Sequence, residues 1–160
     1  MKDELTVTVR FLFQPAEEEI ANSGATYMKD EPLVKECERL IALHIWSKIP
    51  VGTASLRYGP VMSAADTFDV YIEGKGGHGA LPHQTIDPIV AGAEFVNALQ
   101  TVVSREVNPL EPAVLSVTTF QAGTTSNVIP ASAHLSGTAR TFSPTLREAI
   151  LASLDGWPAV

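Results

Sequence analysis

Gly74-Lys75-Gly76-Gly77-His78-Gly79-Ala80-Leu81-Pro82-His83 stands near the middle of the chain and runs on into Gln84-Thr85-Ile86-Asp87-Pro88-Ile89. Four glycines in six positions make a backbone that can take positive φ and approach a ligand closely while presenting one imidazole. Gly74, Gly76 and Gly79 also spell G-x-G-x-x-G after an apolar run of Phe68, Val70 and Ile72. A dinucleotide fingerprint, however, opens a helix at its third glycine and places an acidic residue about twenty residues further on. Here Pro82 follows three residues after that glycine, and the acidic residue at the end of a second strand is missing, so the nucleotide reading fails. Taken alone, the stretch reads as a glycine-rich hairpin with a surface histidine.

Its flanks set the fold. Before it, Phe68, Val70 and Ile72 alternate with Thr67, Asp69, Tyr71 and Glu73, the period of a strand with one buried face. After it, Thr85 or Asp87 can cap a helix with Pro88 in its first turn. Ile89, Ala93, Val96 and Val103 follow helical spacing, with Glu94, Asn97 and Ser104 off that stripe. Pro109 and Pro112 end the region, Val114 to Phe120 and Ala133 to Phe142 read as strands, and Ser143-Pro144 opens a second helix. Two helices on one face of an antiparallel sheet of about three or four strands is the two-layer solution this order permits.

The N-terminal part reads differently. Leu5, Val7, Val9, Phe11 and Phe13 alternate with Thr6, Thr8, Arg10 and Leu12, and Gln14-Pro15 ends that strand pattern. Glu17-Glu18-Glu19 then sits just past a strand end, where α/β folds collect catalysts, although a solvated acidic run in a helix's first turn would look the same. Leu40 to Trp46 reads as a buried strand ending on His44 and Trp46, and a lone histidine there is by itself most simply a hydrogen-bonded core residue. Gly59-Pro60 and the small residues around it, Tyr58 to Ala65, mark the domain boundary. The fold class is therefore α/β followed by α+β, with domains at residues 1–62 and 63–155 and a short tail at 156–160.

Bulk composition narrows the partners. A net charge of -7, with 11 Lys and Arg dispersed along 160 residues, argues against nucleic acid. No apolar run approaches the ~18 residues of a membrane helix, and no signal peptide is visible, so no membrane role and a cytoplasmic location are expected. The single cysteine, Cys37, excludes an internal disulfide and a cysteine-rich zinc site.

Read together, several motifs resemble the zinc-dependent aminoacylase and carboxypeptidase family, in its branch of hippurate hydrolases and indoleacetyl-amino-acid hydrolases. They are Phe13-Gln14-Pro15-Ala16-Glu17-Glu18, Ala42-Leu43-His44-Ile45-Trp46 with Pro50-Val51-Gly52, Gly59-Pro60-Val61-Met62, and the glycine-histidine stretch. Further on come Ala98-Leu99-Gln100 with Ser104-Arg105, Asn127-Val128-Ile129-Pro130 and Gly137-Thr138-Ala139-Arg140-Thr141, in order from about residue 5 to 150. The resemblance implies a partial zinc-peptidase-like catalytic domain at 1–62 and, at 63–155, an inserted lid through which the enzyme forms a homodimer.

It also implies roles. Glu18 and His44 become metal ligands, with zinc, manganese or cobalt compatible with such donors. Glu17 becomes the general base that takes a proton from metal-bound water. His78 would reach the partner subunit's site and stabilise the oxyanion, while Asn127 and Arg140 would hold the carboxylate of a small N-acyl amino acid substrate. Read singly, Asn127 suits a turn and Arg140 a solvated strand position. His83 is expected to be structural. The family's first metal-binding segment would lie upstream of Leu5 and its last metal histidine downstream of the lid, so this chain alone is expected to be inactive. The alternative is a non-catalytic dimerisation module whose apolar N-terminal strands await a partner surface.

Overall fold

The computed structural model describes residues 5–19 and 22–156. It divides into two compact units, Met1–Ser55 and Leu56–Val160. The tail expected at 156–160 lies, but for Gly156, outside the described residues.

In the first unit the described residues form two short helices, α1 (Gly24–Met28) and α2 (Pro32–Lys35), the second opened by Pro32 at its first position. Neither expected strand is realised. Residues 5–13 and 40–46 carry no strand ladder among the described residues. Phe11, Phe13, Ile41, Leu43 and Ile45 all lie exposed. Alternation encodes two faces, but a strand exists only when neighbouring backbone supplies its hydrogen bonds and a layer covers its apolar side. Helices of five and four residues offer neither.

The second unit matches the expected two-layer plan. Three strands, β1 (Ala64–Glu73), β3 (Ala113–Ala122) and β5 (Ser132–Thr141), form an antiparallel sheet in the order β1-β5-β3. Between them in sequence lie β2 (Gly77–His78) and β4 (Val128–Ile129), which pair as a separate ribbon. Two helices follow their proline signals: α3 (Pro88–Thr101), extended by a π-helical turn over Val102–Glu106, and α4 (Pro144–Asp155). Asp87 caps α3 by accepting from the Ile89 N–H at 2.8 Å, and Ser143 caps α4 by accepting from the Leu146 N–H at 3.3 Å.

Register decides which residues share a face. Phe68 faces Gly137, Val70 faces Leu135 and Ile72 faces Ala133 across β1 and β5, while Leu115 faces Ala139 across β3 and β5. Those residues meet Phe95, Leu99 and Val102 from α3 with its extension and Ile150 from α4, forming the core. The buried stripe of α3 is thus Gly92, Phe95 and Leu99, continued by Val102. It is rotated from the expected Ile89, Ala93, Val96 and Val103: Ala93 is exposed, and Val96 and Val103 only flank the core. The largest side chains, Phe95 and Leu99, set the face because they remove the most apolar area from water.

A fork of hydrogen bonds pins α4 to β1. Arg147 Nε donates to Asp66 Oδ2 at 2.8 Å and Arg147 Nη2 to Asp66 Oδ1. The hydrogen bond from Arg147 holds the Asp66 carboxyl below its ordinary value of 3.8, assisted by the positive charges of Arg147 and Arg140 and opposed by desolvation. A carboxylate whose folded pKa is lowered stabilises the fold fully above its unfolded value and loses that contribution as pH falls through the folded one. Arg147→Gln should therefore lower the melting temperature at pH 7, and the gap to the parent should close as pH is taken below about 4. Thermal scans of both proteins from pH 7 to 3 check this; a gap that stays constant would show that Asp66 is not the group responsible.

Candidate functional site

The glycine stretch departs from its expected backbone. Among the described residues the left-handed glycines are Gly52, Gly59 and Gly123, none of them in the stretch. Its glycines are there for close approach instead. A Cβ on Gly74 would meet Ile86 O at 2.4 Å, one on Gly76 would meet Ile129 O at 2.8 Å, and one on Gly77 would meet Thr85 Cγ2 at 2.7 Å. Side chains at these positions would push the ribbon off its neighbours.

That packing prolongs the β1–β5 ladder. Gly74 N–H donates to Ala131 O at 2.8 Å, Gly77 pairs Ile129, His78 pairs Val128, and Gly79 N–H donates to Asn127 O at 2.8 Å. Lys75 turns aside to pair Ile86. His78 and Asn127 are therefore brought together at the tip of the ribbon, both exposed. Ala80 N–H donates to His78 Nδ1 at 3.1 Å, so Nδ1 accepts and the ring proton of neutral His78 sits on Nε2. His78 is consequently a donor without needing to be an imidazolium. Thr125 Oγ1 donates to Asn127 Oδ1 at 3.0 Å, which engages the carbonyl end and leaves the amide NH2 to donate.

Arg140 lies elsewhere. It sits near the C-terminal end of β5, half-buried on the sheet face opposite the helices. Eight residue steps of extended strand separate it from Ser132, where β5 begins beyond the ribbon, or roughly 26 Å at the usual rise. Within one chain, then, the structure groups Asn127 with His78 and not with Arg140. An open groove lined by Gln100, Val103, Ser104, Ala113, Val114 and Leu115 holds none of the three.

In the first unit Glu17 and Glu18 occupy a turn closed by Glu19 N–H donating to Ala16 O at 3.2 Å. Ala16 adopts φ 51°, left-handed for a residue with a Cβ, at a cost of about 1 kcal/mol. Two bonds brace the loop's base: Gly24 N–H to Pro15 O at 3.0 Å and Gln14 Nε2 to Ser23 Oγ at 2.9 Å. Strain held by surrounding bonds is a mark of functional loops. His44 Nδ1 lies 2.7 Å from Ile45 O, which can only accept, so Nδ1 carries the proton and Nε2 presents a lone pair. In kind, Glu18 and His44 are suitable metal donors. In number they fall short, because no cluster of three or more histidine, cysteine, aspartate or glutamate side chains that could hold a metal occurs among the described residues. His83 lies in a 3-10 turn, Pro82–Gln84.

Two features were invisible in the linear sequence. His134 Nε2 bonds Asp69 Oδ1 at 2.7 Å and its ring stacks on Tyr71 at 4.5 Å between centroids, on the face opposite the helices. Thr138 receives Arg140 Nη1 on its hydroxyl. The alternation His134, Ser136, Thr138, Arg140 was the available signal for a polar face, but only register supplies the partners.

A three-stranded sheet under two helices, with a donor histidine on a ribbon at one end and an arginine near the other, defines a small α+β domain. The chain belongs to the M20 peptidase dimerisation domain family, whose profile matches residues 63–157. It is 48% identical over 150 residues to an N-acyl-L-amino acid amidohydrolase of Geobacillus stearothermophilus, covering 94% of this chain and 40% of that protein. It is 42% identical over 142 residues to IAA-amino acid hydrolase ILR1-like 2 of Arabidopsis thaliana, covering 89% of this chain and 32% of that one. A solved Bacillus subtilis protein, YXEP, described as a dinuclear metal-binding peptidase of the M20 family, aligns with TM-score 0.62 and 33% identity over 89% of this chain and 33% of its own. The chain thus spans less than half the length of these relatives. No helix among the described residues is long and apolar enough to cross a membrane.

Proposed function

We propose that the chain is part of a metal-dependent amidohydrolase that cleaves the amide bond of N-acyl amino acids, with residues 1–62 belonging to its catalytic domain and 63–155 forming its lid and dimerisation domain. The observation that carries its division between subunits is the separation of Arg140, near the far end of β5, from the His78–Asn127 tip of the ribbon beyond the start of that strand. An N-acyl amino acid is far too short to bridge it, so the two ends of one lid serve two different sites. A homodimer resolves this: Arg140 holds the substrate carboxylate in its own subunit's site, and His78 and Asn127 complete the partner's.

In that arrangement Arg140 binds and orients the substrate through its carboxylate. Glu17 takes the proton from the attacking water and returns it to the leaving amine. His78 Nε2–H donates to the oxygen that becomes negative as the carbonyl is attacked, and the Asn127 amide adds a second donor. A metal would supply Lewis acidity, and Glu18 and His44 could provide two of its ligands; the remaining donors would have to come from outside the described residues. Similarity to hydrolases of N-acyl amino acids and indoleacetyl amino acids supports the substrate class.

The test is a panel of N-acyl amino acids offered to this chain alone and to a full-length hydrolase containing it, with metal and then with chelator. Chelator-sensitive turnover is expected from the full-length protein, falling by about 10²- to 10⁴-fold in Glu17→Gln, and none from the chain alone. Full-length protein that leaves every member of the panel intact, or turnover indifferent to chelator, would overturn the assignment.

A further inference from the structure

Arg140 is held in a way that selects one edge of its guanidinium. Its Nη1 donates to Thr138 Oγ1 and, at 3.1 Å, to Ala139 O, which accounts for both Nη1 hydrogens. The Thr138 hydroxyl has one proton of its own, and this goes across to β1: Oγ1 donates to Asp66 O at 2.9 Å. With its proton committed to that carbonyl, the hydroxyl can turn only lone pairs toward Arg140. Thr138 is fixed in turn by its place on β5, directly opposite Thr67 on β1 and Ser116 on β3. The chain of bonds therefore runs from the β1 backbone through one hydroxyl to one guanidinium nitrogen.

We propose that Thr138 is the positioning residue of the carboxylate subsite: it commits Nη1 to the sheet, closes the Nη1–Nη2 end of the fork, and leaves the Nε–Nη2 edge to take a carboxylate in two parallel hydrogen bonds. This rests on the reading of Arg140 as the carboxylate-binding residue. Arginine pairs bidentately only when its plane is held, and a long side chain on an open sheet face would otherwise sample many rotamers. The Ala139 carbonyl alone cannot fix the plane, since one acceptor leaves rotation about the bond it receives. Two acceptors on one nitrogen define it.

The experiment uses the full-length hydrolase and steady-state kinetics on N-acetyl amino acids. Thr138→Val keeps a β-branched side chain of the same shape, so the strand is retained while the acceptor is lost. KM is expected to rise about tenfold with kcat within about twofold, because binding of an unreacting group is weakened equally in ground and transition states. Thr138→Ser, which restores the hydroxyl, should return KM to within about twofold of the parent. In an Arg140→Ala background, Thr138→Val should add nothing, as expected for a residue that acts only through Arg140. An unchanged KM in Thr138→Val, failure of serine to restore it, or a full tenfold effect in the Arg140→Ala background would each overturn the proposal while leaving the role of Arg140 standing. If Arg140→Ala itself left KM unchanged, the carboxylate reading would fall, and the positioning role with it.

Discussion

Gly137→Ala should be the most damaging single methyl that can be added to the second unit. A Cβ at that position would lie 2.2 Å from Phe68 Cζ and 2.3 Å from the backbone oxygen of Ser116. The ring could swing away, but Ser116 belongs to β3, so relief requires the central and edge strands to part. Overpacking a well-filled core costs about 1–3 kcal/mol and more when backbone must move, so at least about 3 kcal/mol is expected here. Domains of this size are stable by only about 5–15 kcal/mol in total. Chemical denaturation of the variant should show a midpoint shifted far below that of the parent, or no folded baseline at all. A shift within experimental error would mean that Phe68 and β3 do not close over Gly137 as described.

Nothing in the linear sequence marked Gly137 as special beyond its place in the Gly137-Thr138-Ala139-Arg140 motif. A glycine inside a strand pattern signals close approach of something, and the register names it: the Phe68 ring lies over Gly137 and the Ser116 carbonyl beside it. The strands of the second unit were legible because each carries alternation together with its own end signals, and because their partners lie in the same unit. Leu5 to Phe13 carries equally good alternation and forms no strand among the described residues. The difference is physical. Alternation fixes which residues would share a face, while the ladder depends on backbone that a segment cannot supply for itself. The rotated stripe of α3 has a related cause. Ile89, Ala93 and Val96 satisfy helical spacing as well as Gly92, Phe95 and Leu99 do, and only the shape of the sheet beneath chooses between them.

The candidate site was legible residue by residue and not as an arrangement. His78, Asn127 and Arg140 were each nameable from their motifs. What sequence could not convey is that a separate β2–β4 ribbon beyond the β1–β5 ladder places the first two at one end and the third at the other. Nor could it show that the His78 proton belongs on Nε2, because the Ala80 N–H that decides this is fixed by the turn after β2.

That separation makes a decisive experiment possible with two inactive proteins. His78→Ala in the full-length hydrolase removes an oxyanion donor and should lower kcat by about 10²- to 10³-fold. Arg140→Ala removes the carboxylate fork and should lower kcat/KM by a similar order, about 3–4 kcal/mol of lost binding. Each homodimer then has two crippled sites. If Arg140 serves its own subunit and His78 its neighbour, a hybrid dimer holds one site with both residues intact and one with neither. Random reassortment makes half of the dimers hybrid, so the mixture should recover about a quarter of the parental activity. If both residues served the same subunit, every site in every dimer would lack one of them, and mixing would recover nothing. The two variants should be co-expressed, or unfolded and refolded together, with separately purified homodimers mixed without exchange as the control. Recovery confined to the reassorted sample would establish that His78 acts across the dimer. Its absence, in a sample shown by mass to contain hybrids, would place the His78 and Arg140 of one subunit in the same site and require a lid bent far from the extended arrangement that separates them here.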